Sequence, residues 1–249
     1  MEPMRIAVIA DIHSNLAALE AVLAHFKGVD EVWCLGDIVG YGPWPNECVE
    51  VVRNCAAVCV AGNHDWAALG RISTSDFNPE AAAAAQWTAR QLTAGSKAFL
   101  ENLPLREEKG DFTIVHGSPR DPIWEYVLYA STAEIGMHYL RTSYCLVGHS
   151  HFPLIFFCFQ EGDSFSCRSV EPTPDVAIQL GQERAVINPG SVGQPRDGIP
   201  DARYITIDID GGRVQLRYHR VPYDIELTQR KMEEAGLPRR LWMRLSYGW

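Results

Sequence analysis

The stretch RIAVIADIHSN, residues 5–15, decides the fold. Residues 5–10 form an apolar, β-rich run that stops at Asp11. Ser14 is then placed to cap a helix carrying Leu16, Leu19, Leu23 and Phe26 at three-to-four spacing. A buried strand that passes through a polar loop into a helix is the opening unit of an α/β sheet. The unit recurs. Residues 31–35 lead into Gly36-Asp37 and the loop GYGPWPN (40–46), whose Asn46 is placed to cap the next helix. Residues 57–61 end at Gly62-Asn63-His64-Asp65, residues 112–115 run into His116, and residues 144–147 run into Gly148-His149-Ser150-His151. Between them, residues 79–102 read as one long Ala-rich helix and residues 132–141 as a shorter one.

The later part is richer in strands. Residues 153–160 and 164–170 flank a polar turn and read as a hairpin, as do 204–209 and 214–218 around Asp210-Gly211-Gly212. Residues 185–187 lead into the Gly/Pro loop NPGSVGQPRDG (188–198). Residues 224–235 are helical, with Gly236 as the C-cap. No repeat or linker divides the chain. The expectation is one α/β domain with two β layers over residues 1–249, with 222–249 a helical extension packed on it.

Composition narrows the function. The 249 residues are 47% hydrophobic and 21% charged, which excludes disordered and collagenous classes. Against 22 Lys and Arg stand 31 Asp and Glu, a net charge of −9, so a chain devoted to gripping long nucleic acid is not expected. No apolar run approaches the roughly 18 residues of a membrane helix. The N-terminal apolar run, 6–10, is too short for a secretory signal, and the expected location is cytoplasmic. Seven Cys are scattered without a CxxC pair, so neither a zinc cage nor a redox motif is indicated. Cys34, Cys145 and Cys158 lie in apolar runs and read as buried free thiols.

One regularity carries the chemistry. Asp11, Asp37, Asn63, His116, His149 and His151 each fall just past a strand, where loops of an open α/β sheet converge on one crevice. With His13 they offer imidazole, carboxylate and amide donors, a set suited to Mn, Fe, Ni, Co or Zn and unlike a thiolate site. The donors are too many for one tetrahedral ion. Two ions about 3.5–4 Å apart, sharing a carboxylate, would use them fully.

Taken together, DIH (11–13), GDIVG (36–40), GNHD (62–65), VHGS (115–118) and GHSH (148–151) resemble the five-motif signature of the calcineurin-like metallophosphoesterases, over residues 5–220. The strings GDIVGYGPWPNE and INPGSVGQPRDG resemble its compact prokaryotic phosphodiesterase or phosphatase branch. The resemblance implies a two-layer β-sandwich flanked by helices, four layers α/β/β/α. It implies one ion on Asp11, His13, His151 and a bridging Asp37, and a second on Asp37, Asn63, His116 and His149. It places His64 at the scissile phosphate to assist the leaving group, with Asp65 orienting His64 and raising its pKa. The implied reaction is in-line attack by a metal-activated hydroxide. The Arg that follows the bridging aspartate in protein Ser/Thr phosphatases has no counterpart in Ile38-Val39-Gly40-Tyr41, so their substrate contacts are not carried over.

Arg196 and Tyr41 are further substrate-contact candidates, together with Asn63. The simpler alternatives are an Arg196 pair with Asp197 or Asp201, and Tyr41 and Trp44 packed under their own loop. Asn188 reads as the start of a turn, and His25, His138 and His219 as surface residues. The segment 224–249 carries Lys231, Arg239, Arg240, Arg244, Trp242 and Trp249; it reads as a packed helix, with a lid or dimer contact as the alternative. The expected function is metal-dependent hydrolysis of a small phosphomono- or phosphodiester such as a nucleotide. Alternatives are a protein Ser/Thr-type or dinucleoside polyphosphate phosphatase, a nuclease, and a metal-free scaffold like the retromer subunit of this fold. A homo-oligomer is compatible with all of them.

Overall fold

Alternation along single strands builds the layers. The computed structural model describes residues 3–249. In β1 (Met4–Ile9), Ile6 and Val8 face one way and Ala7 and Ile9 the other, and all four are fully buried. A strand buried on both faces must lie between two layers. Elements follow in the order α1 (Leu16–His25), β2 (Glu31–Cys34), α2 (Pro45–Cys55), β3 (Ala56–Cys59), α3 (Asn63–Ala68), α4 (Pro79–Gln91) and α5 (Ala94–Glu101). Then come β4 (Arg106–Lys109), β5 (Phe112–Val115), α6 (Ala130–Met137), β6 (Tyr144–Leu146), β7 (Pro153–Glu161), β8 (Ser164–Val170), β9 (Ala177–Leu180) and β10 (Arg184–Pro189). The chain closes with β11 (Ala202–Asp210), β12 (Arg213–Val221), α7 (Ile225–Glu234), α8 (Arg239–Met243) and a 3-10 turn at Arg244–Tyr247.

The strands form two six-stranded sheets, β3-β2-β1-β11-β12-β9 and β4-β5-β6-β10-β7-β8. Each has a parallel part, β1-β2-β3 in the first and β5-β6-β10 in the second, extended by antiparallel strands. Ile6, Val8, Trp33, Phe112, Ile114, Leu146, Ile187, Ile205 and Ile207 fill the space between the sheets. Ala7, Ile9 and Val32 pack outward on α1 and α2 through Leu19, Val22, Val49 and Val52. Val115, Cys145 and Val186 pack outward on α6 through Ala133 and Met137. This is the expected α/β/β/α sandwich. Burial of each such side chain contributes about 1.5–3 kcal/mol.

Several local expectations change. Asn15, not Ser14, caps α1: its Oδ1 accepts from Ala18 N at 3.2 Å. Asn46 lies inside α2, which starts at Pro45. Its amide donates to Gln91 O and accepts from Thr93 N, both at 2.9 Å. Those two bonds sit at a break, so residues 79–102 are two helices. Leu92 turns extended, and Thr93 Oγ1 caps α5 by accepting from Ser96 N at 3.1 Å. α6 ends at Met137, short of the expected residue 141. β4 was not expected, because it shows no apolar alternation; β9 was not expected either, although Ile178 and Leu180 alternate toward the inter-sheet core. Cys158 is not a free thiol. It is bonded to Cys167, its register partner across β7 and β8.

The C-terminal segment packs beside the site. Asp224 caps α7 by accepting from Leu227 N at 2.8 Å. Met232, Leu237, Leu241 and Leu245 join Tyr41 and Ala81 and Ala84 of α4 in one cluster. Among the described residues no helix is long and apolar enough to cross a membrane.

Candidate metal centre

The site is made by loops that leave the carboxyl ends of β1, β2 and β3 in one sheet and β5 and β6 in the other. These loops are strained. Of the eight non-glycine residues with left-handed backbone among the described residues, seven are Asp11, His13, Ser14, Asp37, Tyr41, His149 and His151. Each such residue costs roughly 1–2 kcal/mol, and such costs persist only where surrounding contacts over-determine them. Here the loops hold one another: Asp11 N donates to Gly36 O at 3.1 Å, His13 N to Asp37 O at 2.9 Å and Ser14 N to Ile38 O at 2.9 Å. Close approach also needs glycine. A Cβ on Gly62 would stand 2.0 Å from Asp37 Oδ1, and one on Gly193 would stand 1.8 Å from Ile12 O.

The imidazoles are wired so that one nitrogen of each points inward. His13 Nδ1 donates to Val39 O at 3.2 Å, His116 Nδ1 to Leu35 O at 2.9 Å and His151 Nδ1 to Gln194 O at 2.6 Å. His149 Nε2 donates to Trp124 O at 3.2 Å. A carbonyl accepts only, so the proton is fixed there and the opposite nitrogen carries a lone pair. Those lone pairs meet. His13 Nε2 lies 3.1 Å from His151 Nε2, and His116 Nε2 lies 3.2 Å from His149 Nδ1 and 3.1 Å from Asn63 Oδ1. Asp37 Oδ2 is 3.6 Å from His13 Nε2 and 3.4 Å from His116 Nε2, and Asp11 Oδ1 is 3.5 Å from His151 Nε2. Acceptors this close repel unless a cation lies between them. Asp11 with His13 and His151, His13 with Asp37 and His64, and Asp37 with His116 and His149 form three overlapping groups compact enough to hold an ion. The donors present therefore fit divalent metal.

Three of the four inward-facing imidazoles, those of His13, His149 and His151, titrate as neutral rings at neutral pH, and His116 does not. Burial drives His13 and His151 far below the ordinary histidine range, and lowers His149 to about 3 and His64 to about 4. Burial also raises Asp11 to about 7. Burial works against ionised Asp37 too, but the surrounding imidazoles, His116 first, hold it well below the carboxylate range. Against burial, Asp37 holds His116 up to about 9.

The structure brings Asp11, His13, Asp37, Asn63, His64, His116, His149 and His151 together, none more than 5% exposed. It does not place Asp65 on the His64 ring. Asp65 Oδ2 accepts from Asp37 N and Gly62 N, both at 2.9 Å, and Oδ1 from Val39 N at 3.1 Å. His64 Nδ1 has no partner, and its pKa falls where a paired carboxylate was expected to raise it. Its ring lies instead between Tyr41 and Phe77, at 4.4 and 4.8 Å. Tyr41 is buried not under its own loop but against α4 and the C-terminal segment, with its ring beside His13 and His64. Arg196 donates to Gln194 Oε1 at 3.2 Å and leaves Asp197 to Arg203, which bonds it at 2.6 Å. Asn188 does begin a turn, accepting from Gly190 N at 2.9 Å; it also donates to Gly148 O at 2.6 Å and braces the GHSH loop. Sequence reasoning missed Phe77, Trp124 and Tyr126. Tyr126 stacks on His149 at 3.9 Å, and Trp124 lies edge-on to Phe77 at 5.7 Å. Their loops carry no periodicity. The only signal was the aromatic content of IWEY, residues 123–126.

Two facing mixed sheets carry a buried Asp/His/Asn cluster at their strand ends whose donors fit metal ions. Residues 4–212 match the calcineurin-like phosphoesterase superfamily domain, and the chain belongs to that superfamily. It is 41% identical over 251 residues to an uncharacterized protein, MJ0912, of Methanocaldococcus jannaschii, covering 98% of each chain. It is similar to the crystal structure of a metallophosphoesterase from Sphaerobacter thermophilus, with 47% identity, a TM-score of 0.87 and full coverage of both chains. The hypothetical protein PH1004 of Pyrococcus horikoshii shares the fold at 20% identity, with a TM-score of 0.76 over 99% of each chain.

Proposed function

We propose that the chain is a phosphoesterase working on small phosphomono- or phosphodiesters with two divalent ions. Asp11, His13, His151 and Asp37 would hold one ion, and Asp37, Asn63, His116 and His149 the other. The observation that carries this reading is the set of fixed inward lone pairs on four imidazoles around two carboxylates. When bound, such ions acidify water and offset charge on phosphate oxygens. The chain's own residues do the rest. Asp65 fixes the loops that carry Asp37 and His64. His64 keeps a neutral ring with a free nitrogen and offers a hydrogen bond to the leaving oxygen. Arg196, beside the centre and free of Asp197, takes phosphate oxygens. Tyr126, Trp124 and Phe77 wall one side and exclude water.

The test is hydrolysis of p-nitrophenyl phosphate and bis-p-nitrophenyl phosphate with and without Mn²⁺. The expected result is Mn²⁺-stimulated turnover that falls by orders of magnitude in Asp37→Ala. Metal-replete protein inert toward a broad panel of phosphomono- and diesters would overturn the reading.

A further inference from the structure

The loop after β5 is tied down along its length. Gly117 N donates to Pro122 O at 2.7 Å and Ser118 N to Asp121 O at 2.9 Å. Asp121 Oδ1 accepts from Ile123 N at 3.2 Å and Trp124 N at 3.1 Å. The Glu125 carboxylate is turned back on the loop, where Ser118 Oγ and Arg120 Nε donate to it. Ile123 and Val127 are buried and anchor the segment, so Trp124 and Tyr126 stand exposed on a fixed base.

Both residues are joined to the centre. His149 donates through Nε2 to Trp124 O at 3.2 Å, and the Tyr126 ring stacks on the His149 ring at 3.9 Å with 15° between the planes. The Trp124 ring stands edge-on to Phe77 at 5.7 Å, and Phe77 lies 4.8 Å from the His64 ring. A ring that only shields the centre gains nothing from an open outer side, because apolar surface left in water is unfavourable. Tyr126 nevertheless keeps 46% exposure with one face on His149, and Trp124 keeps 37%. The exposure that Tyr126 retains therefore lies away from His149. Open π surface on side chains that are already fixed suits a second flat ring, which stacks there at little ordering cost. The charge between the two rings does not oppose a phosphoester, since Glu125 is paired with Arg120.

We propose that Trp124 and Tyr126 are a stacking platform for a flat aromatic ring in the organic part of the substrate, so that aryl or nucleobase-bearing phosphoesters are preferred over aliphatic ones. This rests on the phosphoesterase reading above. The probes are phenylphosphonate and cyclohexylphosphonate, alike in size and stable at their P–C bonds, of which only the first carries a flat ring. Binding of each to the Mn²⁺-loaded protein is measured by calorimetry and by inhibition of p-nitrophenyl phosphate hydrolysis. The ratio of their affinities cancels any change at the ions themselves. The preference for the flat ring falls about tenfold in Tyr126→Leu and in Trp124→Leu, the scale of one lost stack, and Tyr126→Phe keeps it. The His149 bond to Trp124 uses the backbone and survives both substitutions. Adenosine 5′-monophosphate and ribose 5-phosphate, which share a primary alcohol leaving group, identify the ring. Their kcat/KM ratio falls in the same variants for a nucleobase, and holds while the phosphonate ratio falls for a simple aryl group. A phosphonate ratio unchanged in both leucine variants of a protein that hydrolyses p-nitrophenyl phosphate overturns this proposal alone. A metal-loaded wild type that hydrolyses no phosphoester and binds neither phosphonate overturns the phosphoesterase reading with it.

Discussion

Asp65 separates two kinds of contribution that a motif alone merges. Its carboxylate satisfies three buried amides and touches no ring, so its chemistry is that of a clip. Asp65→Ala leaves those amides unpaired at a cost on the order of 3 kcal/mol. Thermal melting should therefore show a large drop in Tm, with metal affinity falling alongside. His64→Gln should behave oppositely: the imidazole makes no side-chain hydrogen bond at Nδ1, so Tm stays near wild type while turnover falls about 10²–10⁴-fold. Equal loss of Tm in the two variants would show that His64 is structural. Gly62→Ala is a third probe. Its Cβ would strike Asp37 Oδ1, and metal titration should show weakened binding in a protein that still has its sheets.

At the scale of elements, the strands that carry the site were legible because each is an apolar run cut off by a polar residue. β1, β2, β3, β5 and β6 all end within a residue or two of the expected place. β4 was not legible, since REEK on a sheet edge gains its order from pairing with β5 rather than from burial. The long Ala-rich helix was misread because alanine propensity masks an interruption, and the Asn46 amide that fixes the break lies outside that helix. The disulfide was not legible, because the expected three-residue turn 161–163 would set Cys158 opposite Ser166. The structure turns on Gly162-Asp163 alone, which pairs Glu161 with Ser164 and Cys158 with Cys167. Closing so short a loop restricts the unfolded chain by about 2–3 kcal/mol. Cys158→Ser with Cys167→Ser, or reduction by dithiothreitol, should accordingly lower Tm, and an unchanged melting curve would rule that contribution out. The donor residues themselves were readable from five short motifs. The positions of Asp65 and Tyr126 were not, because they depend on approaches between residues far apart in sequence.

At the scale of the whole molecule, metal and pH act on one set of groups. In the metal-free chain, His13, His64, His149 and His151 have folded pKa values below their unfolded ones. Their contribution is present above about pH 6.5 and is lost as pH falls. His116, raised to about 9, contributes fully below about pH 6.5 and is lost as pH climbs through 9. Asp11 and Asp65, raised to about 7, oppose the four imidazoles between about pH 4 and 7, but they are two against four. Metal-free protein should therefore melt highest near neutral pH. Mn²⁺ should raise Tm, by about 2.7 kcal/mol of stability per ion at a hundredfold excess over Kd, and more at pH 8 than at pH 5, where protons compete for the donors. A Tm insensitive to Mn²⁺ at both pH values would contradict the centre as drawn.

The proposed ligand set is divided between the two halves of the sandwich. Asp11, His13, Asp37 and Asn63 come from loops of the first sheet, and His116, His149 and His151 from loops of the second. At its open edge the sandwich is thus hinged like a clasp, and whatever fills the centre fastens one leaf to the other. Deuterium uptake should register this: demetallation should loosen the amides of β1, β2 and β6 at their carboxyl ends together, and leave the far ends of the same strands as slow as before.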